Sequence, residues 1–198
     1  MEDAAEKLDE LARAEKQCTK CDDIVSCRLR ALSGSGHPHA HVMFVSLHPS
    51  PEEETADLPA GTSVLRELAE YIPSLLNGGR DKAYFTTVIK CVPRSDCHLR
   101  RPLPDEQDNC YQFLSREISI TTPHYVVPIG DEASRFLLGK LFGSADADDH
   151  DPLDLRVYDS PSFKVVPIAA PGEVSVREPK TRDAYVKRLR SLASLMGL

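Results

Sequence analysis

A three-layer α/β/α fold with a mostly parallel central sheet is what this sequence predicts. Three features carry the expectation. Stretches rich in β-branched and aromatic residues alternate along the chain with stretches of helical period. Two of the former, "HVMFVSL" (41–47) and "HYVVPIG" (124–130), are nearly continuous apolar runs, as in strands covered on both faces. The order strand then helix recurs along the chain, and such units close most simply by parallel crossovers.

Taken in order, residues from about 3 to 16 read as a helix with Leu8, Leu11 and Ala12 on one face. The cysteine-rich segment "QCTKCDDIVSCR" (17–28) follows, then a loop, "SGSGHPHA". After the strand at 41–47, "HPSPEEETADLPAG" (48–61) is a Pro-rich acidic loop, long enough to suggest a functional one. "TSVLRELAEYI" has helical period and Thr62 or Ser63 as a natural N-cap. "AYFTTVIKCV" (83–92) reads as a strand, "RSDCHLRRPLP" as a loop, and "DEQDNCYQFLSREI" as a helix from Asp105. After the strand at 124–130, Gly130 opens a helix, "DEASRFLLGKLF". The stretch 146–154, "DADDHDPLD", reads as a solvated acidic loop. Strands are expected at about 155–158 and 163–169, and "PKTRDAYVKRLRSLASLM" is a final amphipathic helix. In such sheets ligands bind at the carboxyl ends of the strands.

The 198 residues are expected to form one domain, 1–198, with residues 1–30 as an N-terminal helix and cysteine segment. No apolar run approaches the roughly 20 residues that span a bilayer. "MEDAAEKLDE" is too acidic for a signal or transit peptide, so a reducing cytoplasm is expected and a structural disulfide framework is not. The net charge of −7 argues against a purely electrostatic nucleic-acid binder. It leaves room for a local basic face: Arg94, Arg100 and Arg101 form one cluster, and Arg177, Lys180, Arg182, Lys187, Arg188 and Arg190 another.

The chain has six cysteines: Cys18, Cys21, Cys27, Cys91, Cys97 and Cys110. Cys91 closes a predicted strand, and Cys110 lies a turn or so inside the helix that follows one loop later. These two can converge, and the Cys-x-x-Cys pair Cys18/Cys21 can add two more thiolates from the entry segment. Four soft ligands suit an iron–sulfur cluster or Zn²⁺. The alternatives are a partly oxidised or buried set of free thiols, or a redox dithiol, although no strand–helix unit of the thioredoxin kind surrounds the pair.

Several segments together resemble the iron–sulfur uracil-DNA glycosylases, families 4 and 5 of their superfamily. "VMFVSLHPS" sits where that family has V-G-E-A-P-G, and "YFTTVIKCVPR" where it has Y-I-T-N-V-V-K-C-R-P-P. "RRPLPDEQDNCYQFL" follows R-x-P-x-P-x-E-x-x-x-C-x-x-x-L, and "VVPIGDEASRFLL" and "VVPIAAPGE" fall at its last two motifs. The resemblance implies a uracil-DNA glycosylase-like fold and a 4Fe-4S cluster on Cys18, Cys21, Cys91 and Cys110, leaving Cys27 and Cys97 as spare thiols packed as small hydrophobes. It implies DNA as partner, no membrane, a monomer, and base-excision repair.

The resemblance also locates the reacting pocket and shows it altered. Leu47 stands where family 4 has an acid, Ala60 near its stacking phenylalanine, Thr87 at its base-reading asparagine and Ala170 at its histidine. Neither Leu47 nor Ala170 offers a polar side-chain atom, and Thr87 has a single hydroxyl. Candidate replacements are His48 and the carboxylates of Glu52, Glu53, Glu54 and Asp57, set against a packed loop histidine and a solvated acidic face. Pro49 and Ala60 would line the base site. Lys90, Arg94, Arg100, Arg101 and Arg177 would meet phosphates. Three functions follow: a glycosylase whose chemistry has moved, a catalytically silent DNA-binding relative, or a cluster protein with a partner other than DNA.

Overall fold

The computed structural model describes residues 3–76, 82–143, 146, 148, 150–151 and 153–198. Its helices are α1 (Ala4–Lys16), α2 (Asp22–Cys27), α3 (Pro51–Ala56), α4 (Thr62–Tyr71), α5 (Pro104–Thr121), α6 (Asp131–Leu141), α7 (Pro171–Ser175) and α8 (Pro179–Leu195). Its strands are β1 (Ser35–Gly36), β2 (Val42–Ser46), β3 (Ala83–Thr87), β4 (Arg94–Ser95), β5 (His98–Leu99), β6 (Tyr125–Pro128), β7 (Tyr158–Asp159) and β8 (Lys164–Val165).

Six strands form one sheet in the order β1-β3-β2-β6-β8-β7, and β4 and β5 form a separate hairpin. The four inner strands are parallel, and the edges β1 and β7 are antiparallel. The chain leaves β2 for β3 on one side and later enters β6 on the other. The loops after β2 and β6 therefore diverge, opening a crevice at the carboxyl ends of the strands.

The near-continuous apolar strands are explained by cover on both faces. Met43 and Val45 of β2 join one core with Leu11 of α1, Leu114 of α5 and Leu137 of α6. Val42 and Phe44 join the other with Leu65 and Leu68 of α4 and Leu189 of α8. Successive strand side chains point to opposite faces, and all five residues of β2 are buried. Fully burying each large apolar side chain contributes about 1.5–3 kcal/mol. This is the three-layer α/β/α arrangement expected.

Several boundaries differ from expectation. The strand read at 83–92 ends at Thr87. The Val88 and Ile89 amides still bond the Ser46 and Leu47 carbonyls, at 2.9 and 3.0 Å, before the chain bends away. The strand read at 163–169 narrows to β8 plus one bridge, Ile129 to Ile168, because Pro167 brings no N–H to the ladder. The cap of α4 is Gly61, not Thr62 or Ser63. Gly61 has φ 83°, and a Cβ there would lie 2.9 Å from Phe85 Cβ. The stretch 146–154 lies partly outside the described residues; within it His150 is buried rather than solvated.

The acidic loop 48–61 contains α3, which has a Ser-Pro-Glu-Glu start. Ser50 Oγ accepts from the Glu53 N–H at 3.1 Å, and Glu53 Oε2 accepts from the Ser50 N–H at 2.8 Å. Pro51 occupies the first helical position, where its missing N–H costs nothing. Glu53 and Glu54 are 2% and 0% exposed. They are neither a solvated face nor available carboxylates.

Candidate functional site

Cys18, Cys21, Cys91 and Cys110 line one cavity. Cys18 follows α1, its N–H bonded to the Glu15 carbonyl at 3.2 Å. Cys21 is the N-cap residue of α2. Cys91 lies in the bend after β3, and Cys110 in α5; both are 8% exposed. All four are free thiols. Arg28 ties the two halves together: Nη1 donates to Cys91 Sγ at 3.2 Å and Nη2 to the Cys18 carbonyl at 2.6 Å. The Lys90 N–H donates to Cys110 Sγ at 3.3 Å. Burial pushes the Cys110 thiol up to about 12 and raises the Cys21 and Cys91 thiols. Burial thus favours the protonated form at Cys21, Cys91 and Cys110, and a cationic centre is what would draw off those protons. Among the described residues no group of three His, Cys, Asp or Glu is arranged to hold a single metal ion.

A buried polar network adjoins this cavity. Lys90, whose side chain is 2% exposed, reaches Glu117 Oε2 at 2.6 Å, Thr86 Oγ1 at 2.6 Å and the Thr87 carbonyl at 3.0 Å. Burial opposes its charge, but Glu117 and Glu15 outweigh that and hold its pKa above the ordinary lysine range. Glu15 lies 3.9 Å from Nζ, and burial lifts its carboxyl to about 7. Lys90 therefore meets no phosphate, contrary to the sequence reading. Its position in a strand-end motif carried no sign of burial.

Cys27 and Cys97 are also corrected: they are joined in a disulfide, with Cα atoms 5.0 Å apart. The sequence placed Cys97 in a loop. It sits in the two-residue turn of the β4–β5 hairpin, which folds onto α2.

At the carboxyl ends of the strands, Ser46 pairs with Thr87, and Leu47, His48 and Pro49 follow. His48 is half-buried, and its Nδ1 lies 2.8 Å from the Pro49 carbonyl. A carbonyl only accepts, so Nδ1 carries a proton, and in the neutral ring Nε2 is then the acceptor. Thr87 is 0% exposed, and its hydroxyl has no hydrogen-bond partner among the described residues. Ala170 caps α7, its N–H bonded to Glu173 Oε2 at 2.9 Å, while Glu173 Oε1 takes the Asp131 N–H at 3.2 Å. Ala60 is 0% exposed, with its N–H on the Ser33 carbonyl at 3.1 Å, and offers no surface to a base.

Most of the arginines read as phosphate contacts are paired. Arg94 meets Glu54 at 2.6 Å with its side chain 13% exposed. Arg100 forms a two-pronged pair with Glu106, which also accepts the Leu103 N–H at 2.8 Å and so caps α5. Although burial works against it, this pairing lowers the Glu106 pKa. Arg101 meets Glu132 at 3.0 Å in an exposed pair. Arg177 is exposed, as are Lys180, Lys187, Arg188 and Arg190. Of the remaining acids, Glu52 pairs with Arg66 at 3.5 Å and Asp57 with Arg30 at 2.7 Å.

Comparison with known proteins places this geometry in a family. The chain is 29% identical over 136 residues to a type-4 uracil-DNA glycosylase of Sulfurisphaera tokodaii, covering 69% of this chain and 60% of that one. It is 27% identical over 196 residues to a type-4 uracil-DNA glycosylase of Archaeoglobus fulgidus, covering 97% and 94%. A type-4 uracil-DNA glycosylase of Saccharolobus solfataricus is 27% identical over 136 residues, covering 69% and 61%. The match thus spans about three fifths of two of these relatives and nearly all of the third. The family model described as the uracil DNA glycosylase superfamily matches residues 33–193, which takes in Cys91, Cys110 and the whole crevice and leaves Cys18 and Cys21 outside. The chain belongs to the uracil DNA glycosylase superfamily.

Proposed function

We propose that this protein is a DNA glycosylase of base-excision repair, cleaving the bond between sugar and a damaged base, with a cluster held by Cys18, Cys21, Cys91 and Cys110. The observation that carries the activity is His48, at the carboxyl end of the central strand with Nδ1 tied to the Pro49 carbonyl and Nε2 left as an acceptor. The family and the relatives named type-4 uracil-DNA glycosylase support the substrate class. No helix is long and apolar enough to cross a membrane among the described residues. A cytoplasmic monomer, formed by the whole chain as one domain, completes the proposal.

Hydrolysis would proceed with the target nucleotide flipped into the crevice. The water oxygen bonds to C1′ of the sugar. The C1′–N bond breaks, its electron pair leaves with the base, and the base anion takes up a proton from solvent, to which His48 returns the one it removes from the attacking water. His48 Nε2 takes the proton from the water, a contribution of about 10²–10⁴-fold in rate. Thr87 stands at the family's asparagine position, but its hydroxyl is buried and, like Ala60, presents no surface to a base. The four thiols fit a 4Fe-4S cluster by donor type, by their common cavity and by two donors, the Lys90 N–H and Arg28, already aimed at sulfur. That cluster would hold the segments after α1, after β3 and in α5 together.

The test is base release from duplex and single-stranded DNA carrying uracil and a panel of other lesions, using anaerobically loaded protein. Release is expected from at least one lesion, with His48→Ala lowering it about 10²-fold or more. Salt-dependent binding without release from any lesion favours the silent relative. Absence of binding at low salt defeats both.

A further inference from the structure

We propose that Cys27 and Cys97 form a thiol-exchange site, a disulfide opened by a dithiol reductant, whose state governs how firmly the segment carrying Cys18 and Cys21 is held against Cys91 and Cys110. Its consequence for cluster retention rests on the cluster reading above.

The bond spans the two halves of the thiol cavity. Cys27 ends α2, whose N-cap is Cys21. Cys97 lies in the hairpin between Cys91 and Cys110, 70 residues along the chain from Cys27. A helix of six residues is far too short to hold itself, so the place of α2 depends on its ties. Those ties include the buried Ile24, the Arg28 side chain and this covalent link.

The backbone at Cys97 points the same way. Asp96 and Cys97 have φ of 47° and 60° in a two-residue turn. A turn with two positive φ angles favours glycine at its second position, and a side chain there is strained. The sequence keeps a thiol where the turn alone would take glycine.

Exposure separates Cys97 from the cavity thiols. Cys97 is exposed, whereas Cys18 and Cys21 are half-buried like Cys27, and Cys91 and Cys110 are buried, so Cys97 is the sulfur an incoming thiol reaches most readily. The incoming thiolate bonds to Cys97 Sγ and Cys27 leaves as a thiolate. The second thiol of the reductant then attacks the mixed disulfide, bonds to its partner sulfur and releases Cys97. Two electrons and two protons pass from the dithiol to the cysteines, and the reductant departs as its own disulfide. In a reducing cytoplasm the link would be a reversible one rather than a permanent staple.

The full chain, loaded anaerobically, is mapped by mass spectrometry without reduction and then challenged with an iron chelator, with and without dithiothreitol. Cluster absorbance should decay about tenfold faster once wild-type protein is reduced, the factor that a loss of ~1.4 kcal/mol in holding the segment gives. Cys97→Gly eases the turn while removing the link, so it should decay at the fast rate in both conditions. With Cys27→Ser it also reports any direct action of the reductant on the cluster. Equal decay of wild type in both conditions, or slow decay of Cys97→Gly, overturns the proposal. Tryptic cleavage after Lys20 gives a readout that needs no iron. Protein that binds no iron, yet is cut about tenfold faster there on reduction, supports the link and defeats the cluster reading. Six reactive thiols in denatured, unreduced protein overturn the link itself.

Discussion

Arg94 separates what the sequence suggests from what the structure supports. Its guanidinium Nη2 lies 2.6 Å from Glu54 Oε2, with the two side chains 13% and 0% exposed. Glu54 Oε1 also takes the Leu29 N–H at 3.0 Å, so this carboxylate pins the end of the cysteine segment. Replacing Arg94 by methionine leaves a buried carboxylate with one backbone donor. Breaking a buried pair from one side costs about 3–5 kcal/mol. Arg94 Nη1 has no hydrogen-bond partner among the described residues, so the native pair is imperfect and the lower end applies, about 3 kcal/mol. With an unfolding entropy near 2.1 cal/mol/K per residue over 198 residues, Tm should fall by about 7 °C in calorimetry. Adding Glu54→Gln removes the stranded charge and keeps an acceptor for Leu29, so the double variant should recover most of the loss. DNA binding gives the second arm. A phosphate contact contributes about 0.9 to the slope of log K against log salt. Arg94→Met should leave that slope unchanged, while Arg177→Ala, at an exposed position, should reduce it by about that much. A loss below about 1 kcal/mol, no rescue by the second substitution, or a shallower slope for Arg94→Met would refute the assignment.

Two further outcomes follow from buried charge. Lys90→Met strands Glu117, 1% exposed, and should cost about 3–5 kcal/mol by urea midpoint; pairing it with Glu117→Gln should restore much of this. His150 is 6% exposed, and burial lowers its pKa below the usual histidine value. Its neutral form is favoured in the fold, so stability from this group is present above the unfolded pKa of about 6.5 and is lost as pH falls from there towards the folded value. Between pH 7.5 and 5.5 the wild-type urea midpoint should fall further than that of His150→Asn, and parallel falls would dismiss the assignment.

The layered fold was legible because its strands are apolar on both faces, as Val42–Ser46 shows, and because helical period is unmistakable in α4, α5, α6 and α8. The approach of Cys91 to Cys110 was also anticipated, since the chain leaving β3 returns to α5 through one connection, residues 88–103, and the Cys18/Cys21 pair was expected to join them from the entry segment. The short elements were harder. α3 announces itself by Ser50 and Glu53 at capping-box spacing with Pro51 between, a signal masked by the polarity of its neighbours. α2 and α7 have six and five residues, below the length at which periodicity informs. The disulfide was unreadable because connectivity depends on where a hairpin turn lands, and no spacing in the sequence reports that. The burial of Lys90 was hidden because its partners, Glu15 and Glu117, are brought to it by two helices far off in sequence.

Net charge deceives for a related reason. Among the described residues Glu15, Glu53, Glu54, Glu106 and Glu117 are buried, against Lys90 as the buried lysine. The exterior is therefore less negative than the formal −7. Three of those acids, and one half-buried glutamate, hold backbone amides. Glu53 gathers the Ser50 and Ser63 amides, Glu54 the Leu29 amide, Glu106 the Leu103 amide, and the half-buried Glu173 the Ala170 and Asp131 amides. Each carboxylate fixes a loop that follows a parallel strand or meets one that does. Backbone donors that would otherwise compete for a ligand's oxygens are thereby occupied. Recognition in such a crevice must come from groups left unpaired inside it. Of the two candidates at the strand ends, Thr87 Oγ1 is unpartnered but fully buried, so the half-buried His48 is the one with a surface to offer.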